Sequence, residues 1–432
     1  MLFRSAAFGV FSIERATPVG GAILESLLGD TWSAQLFRVG AADAPLWSSP
    51  SLRPPSARLE DCMVLRLPEG VSLPDRISSK NVADVLAANG AGPWFEGLKS
   101  DQTNTCVLAA DDEIRAIFLP AVKDGKRQPI TYKSVYAPSS APRLPPAYAE
   151  LAGKRVGIVG CGSVGSKIAL SLARSGVRAF ELIDGDLFLP GNVVRNGLDL
   201  RAVGIEKVAA TRHLIRDIAP DAEVNFRTIE FGGQESSLVT GSAMSALGEC
   251  ALIIDASASA EVFNLVAAVS RAARVPLVWG LVYAGGIGGL VARVRPDFDP
   301  EPLKAREQIS QWYAARGVPW TIKPGAEYDG ENGEQTPLVA GDAEVSLIAA
   351  HMTRAAIDTL CMPEASIFPA QAYAIGFAAE WIFNAPFDVW PIELQADGAW
   401  SAAEEEGREE NLAALLDKLL PASEEPASGN AS

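Results

Sequence analysis

Between Arg155 and Gly280 the chain alternates short apolar runs with stretches of helical length, and nothing else in the sequence constrains its fold as tightly. Arg155–Val159, Ala179–Ile183, Glu223–Ile229, Ala251–Asp255 and Pro276–Gly280 read as strands. An apolar segment running to about Arg174, then Lys207–Ile218 and Ala260–Arg274, read as the helices between them. Strand–helix–strand order of this kind implies right-handed crossovers and a largely parallel sheet, so the fold class is α/β.

The rest of the 432 residues is organised around this frame. At ~150 residues per domain, two or three domains are expected. Residues 1–136 mix short apolar runs with Pro, Gly and Ser clusters. There Cys62–Leu67 and Thr105–Ala109 read as strands and Asn81–Leu86 as a helical turn or two, which makes a smaller N-terminal α+β domain. Residues 137–147 are proline-dense and read as a linker, and residues 148–400 form the α/β domain. Within it Val291–Val294 reads as a strand, the chain is loop-rich to about Ala340, and Val345–Leu360 is an apolar helix. Phe377–Leu394 reads as strands and turns that pack Trp381, Phe383, Phe387 and Trp390. Residues 401–432 are an acidic tail with a short amphipathic helix at Asn411–Leu420, suited to packing on its own domain or to docking a partner.

Charge and cysteine usage remove several function classes. A net charge of −16 repels the nucleic-acid backbone and anionic lipid, so neither is expected as a partner. Met1–Ser5 does not open a signal peptide, and no run reaches the ~18 apolar residues a membrane span needs. The five cysteines form no C-x-x-C pair, so neither a zinc ribbon nor a disulfide framework is indicated and a reducing cytoplasm is expected. With two histidines, a His-rich metal site or a Ser-His-Asp triad is disfavoured.

Gly160-Cys161-Gly162-Ser163-Val164-Gly165 is a G-x-G-x-x-G placed directly after a strand and before a helix. Glycine allows the tight turn and close backbone approach, and a helix N-terminus offers unpaired N–H groups to phosphate. Asp184 closes the next strand 19 residues after Gly165, where a carboxylate suits a ribose hydroxyl. Alone, this pair would serve an NAD or FAD dehydrogenase equally well. Asn192, Arg195 and, 12 residues later, Lys207 separate the readings. Hydride transfer needs no cations converging on phosphates, whereas attack of a carboxylate on the α-phosphorus of ATP builds charge that fixed cations stabilise.

The succession strand, G-x-G-x-x-G, helix, I-D-x-D, N-x-x-R and V-G-x-x-K resembles the ThiF/MoeB superfamily of ubiquitin-activating-type adenylyltransferases, over about Leu151 to Leu360. The resemblance implies a Rossmann-like ThiF adenylation domain that uses ATP and Mg²⁺. It places Asp184 on the ATP ribose, with Asp186 in the same nucleotide-binding set as Gly160, Gly162 and Gly165. Asn192, Arg195 and Lys207 would contact the phosphates, the two cations being catalytic, and Asn196 stands where the family usually has Gln. Asp255 matches the first acid of the family's D-x-x-D segment and is the expected metal ligand, while the second acid is replaced by Ala258. The family's zinc-binding C-x-x-C pairs are absent.

No cysteine lies between Cys250 and Cys361, the interval in which thioester-forming members carry their nucleophile. Thr336 falls near that position and is the candidate acyl acceptor, although no histidine in the loop could serve it as a base. The activity implied is ATP-dependent adenylation of the C-terminal carboxylate of a ubiquitin-like protein, with hand-off to a ubiquitin-conjugating-like partner and without a cysteine thioester on this chain. Homodimerisation is the family habit. The alternatives are adenylation of a peptide or small-molecule carboxylate, a non-catalytic nucleotide-binding scaffold, and an NAD-dependent oxidoreductase.

Each of these residues also has a plainer reading. The glycines could serve packing, Asp184 could be a loop acid, Arg195 and Lys207 solvated charges, and Thr336 an ordinary loop threonine. Cys161 reads as facing the sheet, Cys361 as packing in the core, and Cys62 and Cys106 as small buried hydrophobes. Gly285-Gly286-Ile287-Gly288-Gly289 reads as a hairpin turn or as a side-chain-free path for an extended Gly-Gly tail.

Overall fold

A computed structural model describes residues 2–4, 17–28, 31–48, 57–71, 73, 78–110, 114–133, 135–137, 144–233, 235–318, 340–396 and 400. They belong to two compact units, Met1–Arg143 and Leu144–Ser432.

In the first unit, strands β1 (Leu2–Arg4), β2 (Val19–Leu28), β3 (Thr31–Gly40), β4 (Pro45–Ser48), β5 (Arg58–Arg66), β6 (Asn104–Ala109), β7 (Ile114–Leu119), β8 (Ile130–Thr131) and β9 (Val135–Ala137) form one sheet. Its order is β8-β7-β6-β5-β2-β3-β1-β9, with β4 on β3. Helices α1 (Ser79–Ala88) and α2 (Gly92–Glu96) join the parallel neighbours β5 and β6. The two faces of β5 follow from strand alternation: Cys62 and Val64 pack with Ile23, Leu36 and Val107, whereas Met63 and Leu65 pack with Val82 and Leu86 of α1. Cys62 and Cys106 are buried, as small hydrophobes are.

The second unit is built on β10 (Arg155–Val159), β11 (Ala179–Ile183), β12 (Glu223–Arg227), β13 (Leu252–Asp255), β14 (Leu277–Val282), β15 (Gly288–Val294), β16 (Ala372–Gly376) and β17 (Val389–Ile392), interleaved with α3 (Ser163–Ser175), α4 (Lys207–Ile218), α5 (Ser237–Gly248), α6 (Ala260–Ala273), α7 (Pro302–Ala314) and α8 (Asp342–Cys361). Strand order is β12-β11-β10-β13-β14-β15-β16-β17. The first five are parallel and the last three continue antiparallel. The chain runs outward from β10 to β12 and then returns to the other side of β10 at β13. This is the doubly wound order whose switch point lies between β10 and β13.

Both faces of the sheet are covered, which is why its strands are apolar without alternation. Val156, Ile158, Leu182 and Ile254 face Ile168 of α3, Val208 of α4 and Ile348 of α8. Val159, Ile183 and Ile253 face Met244 of α5, Val266 of α6 and Ile309 of α7. Among the described residues no helix is long and apolar enough to cross a membrane.

One sequence expectation changes here, and one pair of alternatives is decided. The stretch after Val294 is not loop throughout, because α7 begins at Pro302, whose fixed φ suits the first helical position. Its buried residues Ala305, Ile309 and Tyr313 recur every four positions, and the charged residues between them hide the stripe in the sequence. The glycine-rich run is a hairpin, with β15 starting at Gly288 and Gly289 pairing with Val282. A Cβ on Gly289 would stand 2.5 Å from Ile348 Cδ1 and one on Gly288 2.3 Å from Ile375 O, so these glycines pack strands and α8 rather than line an open path. The tail helix expected at Asn411–Leu420 lies outside the described residues.

Candidate active site

The loops at the carboxyl ends of β10, β11 and β13 meet at the switch point. Each glycine of the first loop has its own reason to be there. Gly160 has φ +88, and a Cβ on it would lie 2.8 Å from the Ala256 carbonyl carbon and the Ser257 nitrogen. Gly165 lets α3 settle onto the turn, since a Cβ there would fall 1.8 Å from Gly160 O. Gly162, by contrast, has nothing within 4 Å of where its Cβ would be. It caps α3 without a side-chain acceptor, so the first amides of a 13-residue helix lack a side-chain cap and the space beside them is open. That is the geometry of an anion site.

Asp184 reaches across from β11. Its Oδ2 accepts the Cys161 N–H at 2.6 Å and its Oδ1 accepts the Asp186 N–H at 2.8 Å. Burial pushes its carboxyl above the usual range, opposed by these hydrogen bonds and by the Lys207 ammonium. Lys207, the first residue of α4, pairs its Nζ with Asp186 Oδ2 at 2.6 Å, and its N–H donates to Asp186 O at 2.9 Å. The lysine side chain is 12% exposed and the aspartate 72% exposed, so the ammonium is the sheltered member and an incoming anion could displace the solvated one. The Cys161 thiol is fully buried in the core against the sheet, and burial raises its pKa, so it is no nucleophile.

Asn192 and Arg195 sit on a short 3-10 turn, Pro190–Val194, with Arg195 half-buried at its end. Asn192 Oδ1 accepts the Leu189 N–H at 2.9 Å, and buried Asn196 likewise turns its Oδ1 to the Leu198 N–H at 3.0 Å. The residue that ties this loop to the glycine turn is Ser166, which the motif reading passed over. Its buried hydroxyl donates to Gly162 O at 2.7 Å and accepts the Gly197 N–H at 3.0 Å. A serine inside an apolar helix face, one residue beyond the last motif glycine, was the available signal.

Asp255 ends β13 and is 4% exposed. Its Oδ1 accepts both the Ser257 N–H at 3.0 Å and the Ser257 hydroxyl at 2.6 Å. Burial raises its pKa, against the Ser257 hydrogen bonds and the charge of Arg306. Ala258, in the place of the second acid, takes φ +58. Among the described residues no group of three or more His, Cys, Asp or Glu could hold a metal ion. Asp255 therefore offers one magnesium ligand at most through its second oxygen, and phosphate oxygens and water would have to complete the shell. Thr336 lies outside the described residues.

Residues 142–302 match the model of the ThiF family. The second unit carries a ThiF-family domain. Uncharacterized protein y4oA of Sinorhizobium fredii is 34% identical to the chain over 163 residues, 36% of this chain and 27% of that protein. The ATP-dependent ubiquitin transferase-like protein Cap2 of Enterobacter hormaechei is 41% identical over 73 residues, 17% of this chain and 12% of that protein. The chain thus spans about a quarter or less of the length of these relatives. Among solved structures, E. coli MccB with ATP aligns at TM-score 0.44 and 14% identity, over 59% of this chain and 68% of that one. In the ThiF domain the structure gathers Gly160, Gly162, Gly165, Asp184, Asp186 and Lys207 at one corner, places Ala256 and Ser257, which follow Asp255, beside Gly160, and ties Gly197, two residues past Arg195, to Gly162 through Ser166.

Proposed function

We propose that the ThiF domain activates a C-terminal carboxylate by adenylation, with ATP as co-substrate and a ubiquitin-like protein as the acyl donor. The observation that carries this reading is the uncapped N-terminus of α3 beside Gly162, with the Asp184 carboxylate and the Lys207 ammonium gathered around it. In this reading the α3 amides and Lys207 hold the phosphates, Asp184 takes the ribose, and Asn192 and Arg195 close on the phosphates from their turn. The substrate carboxylate oxygen attacks the α-phosphorus, a C(O)O–P bond forms, and the bond to the bridging oxygen breaks to release pyrophosphate. Arg195 and Lys207 offset the charge that grows on the phosphoryl and leaving oxygens. Mg²⁺, when bound, supplies further charge neutralisation on the phosphates, with Asp255 as its one protein ligand.

A ubiquitin-like donor is supported by the likeness to proteins named ATP-dependent ubiquitin transferase-like protein Cap2. Hand-off without a cysteine thioester is supported by the cysteines themselves. Four are buried, and burial pushes Cys62, Cys106 and Cys250 up to about 12. The half-buried Cys361 is also raised by burial. The acyl group would then pass directly to a conjugating-like partner or to Thr336. The chain is proposed to act as a homodimer, which light scattering of the purified protein checks.

The test is ATP–pyrophosphate exchange together with intact mass spectra of the chain, ATP, magnesium and a ubiquitin-like protein. An AMP adduct on the partner supports adenylation. A covalent adduct on this chain that disappears in Thr336→Ala supports the oxyester. Nucleotide binding without exchange on any protein or peptide carboxylate would favour a scaffold, a reading to which the single acid at Asp255 lends weight. Stabilisation by NAD but not by ATP would overturn both.

A further inference from the structure

Helix α8 packs on β13, β14 and β15. Beside it the outer strands turn Tyr373, Ile375 and Val389 to one side, since Ile375 pairs with Val389 and Tyr373 lies two positions before Ile375. With Ala355 of α8 and Phe368 they line an apolar cavity of about 230 Å³. Val389, at its rim, is 44% exposed. The opposite side of the same strands is closed, where Ala372, Ala374 and Ile392 pack with Ile309 and Tyr313 of α7. A sheet otherwise covered on both faces therefore keeps one apolar groove between α8 and β17, with no described helix in it.

The groove has the length of a short helix. Along β16 from Gln371 to Ile375 it runs about 13 Å, and ten residues of helix span about 15 Å. The sequence of this chain contains a matching segment. Asn411–Leu420, outside the described residues, carries Leu412, Leu415, Leu416, Leu419 and Leu420, an i, i+3, i+4, i+7, i+8 stripe. Glu409 and Glu410 precede it and Lys418 falls in its last turn, the order that a helix dipole favours. The chain also approaches this segment from the end of the groove. Trp400, 1% exposed, donates its indole N–H to Asp299 O at 2.9 Å, and Asp299 Oδ1 accepts from Nε2 of Gln371, a groove residue, at 3.1 Å. Ten residues separate Trp400 from Asn411, enough to span roughly 33 Å.

We propose that Asn411–Leu420 docks as a helix in this groove of its own chain, its leucines filling the cavity beside Tyr373, Ile375 and Val389. A link this short gives an effective concentration on the order of millimolar, which favours the chain's own segment over a second copy. Its consequence is that the outer face of the antiparallel strands is closed to other proteins while the segment is seated.

The test is hydrogen exchange of the full chain, read by mass spectrometry at two protein concentrations. In the wild type the amides of 411–420 are expected to exchange about tenfold or more slowly than in an unstructured peptide, equally at both concentrations. Val389→Asp, at a half-exposed groove position, is expected to abolish that protection while leaving β10 and β13 protected. His351→Asp, at an exposed position on the facing wall, supplies the same reading if Val389→Asp also weakens β13. Unprotected amides at 411–420 in the wild type would overturn the inference and leave the groove to a different protein. Protection that rises with concentration would overturn it in favour of a second copy. Protection that survives both groove variants would overturn it by placing the segment elsewhere.

Discussion

The carboxylate of Asp184, at the end of β11, accepts the backbone N–H of Cys161 at 2.6 Å, so the acid after one strand clamps the glycine turn that follows its sheet neighbour β10. The same carboxylate accepts the Asp186 N–H, and Asp186 in turn holds Lys207. Acid, turn and ammonium therefore form one connected unit before any ligand arrives.

Replacing Asp184 with Ala removes the acceptor of the partly buried Cys161 amide and that of the exposed Asp186 amide. A loss of ~1–3 kcal/mol in unfolding free energy is expected, together with loss of the ATP-induced rise in melting temperature. Denaturant titration and thermal shift measure the two effects separately.

The glycines of the loop should respond differently. Gly165→Ala would place a Cβ 1.8 Å from Gly160 O, and backbone cannot yield cheaply there. A destabilisation of ~2–4 kcal/mol is expected. Gly162→Ala meets no protein atom within 4 Å, so the variant should melt like wild type yet bind ATP at least several-fold more weakly. Equal ATP affinity in Gly162→Ala would show that the open side of the turn is not the phosphate site.

Lys207→Ala should leave stability within ~1 kcal/mol, because its partner Asp186 is largely solvated. Pyrophosphate exchange should fall by about 100-fold or more, the usual scale for removing a charge-stabilising donor. Asp186→Ala should fall less, since it frees the ammonium rather than deleting it. Steady-state exchange rates at saturating ATP decide between them.

Asp255→Asn is expected to be more stable than wild type at neutral pH. Burial raises the pKa of Asp255 in the folded chain, so its ionised form is penalised there relative to the unfolded chain. That penalty is full above the folded pKa and fades as pH falls through it, so the advantage of Asn should shrink on acidification. Exchange activity should drop in the same variant if Asp255 contributes a magnesium ligand. Melting temperatures across a pH series, read beside exchange rates, test both halves.

Much of the ThiF domain was legible because a parallel sheet covered on both faces leaves plain marks: apolar runs such as Arg155–Val159 and Leu252–Asp255, each followed by a helix. The glycine spacing and the positions of Asp184 and Lys207 were equally readable, since local turn chemistry places them. Helix α7 was not, because its buried residues Pro302, Ala305, Ile309 and Tyr313 are separated by charged and polar ones that resemble a loop. Ser166 was missed for a different reason: its hydroxyl joins Gly162 to Gly197, which lies 31 positions beyond Ser166, and no local pattern reports so distant a partner.

By itself the sequence determined the alternation of strand and helix, the glycine turn, and the order of acids and cations along the chain, because each depends on neighbours a few residues away. Only the tertiary structure decided that Gly162 faces open space while Gly165 faces backbone, that Gly288 and Gly289 are packing positions, and that Cys161 turns into the core. Those outcomes depend on which elements become neighbours across the sheet, and close packing between segments distant in sequence settles them.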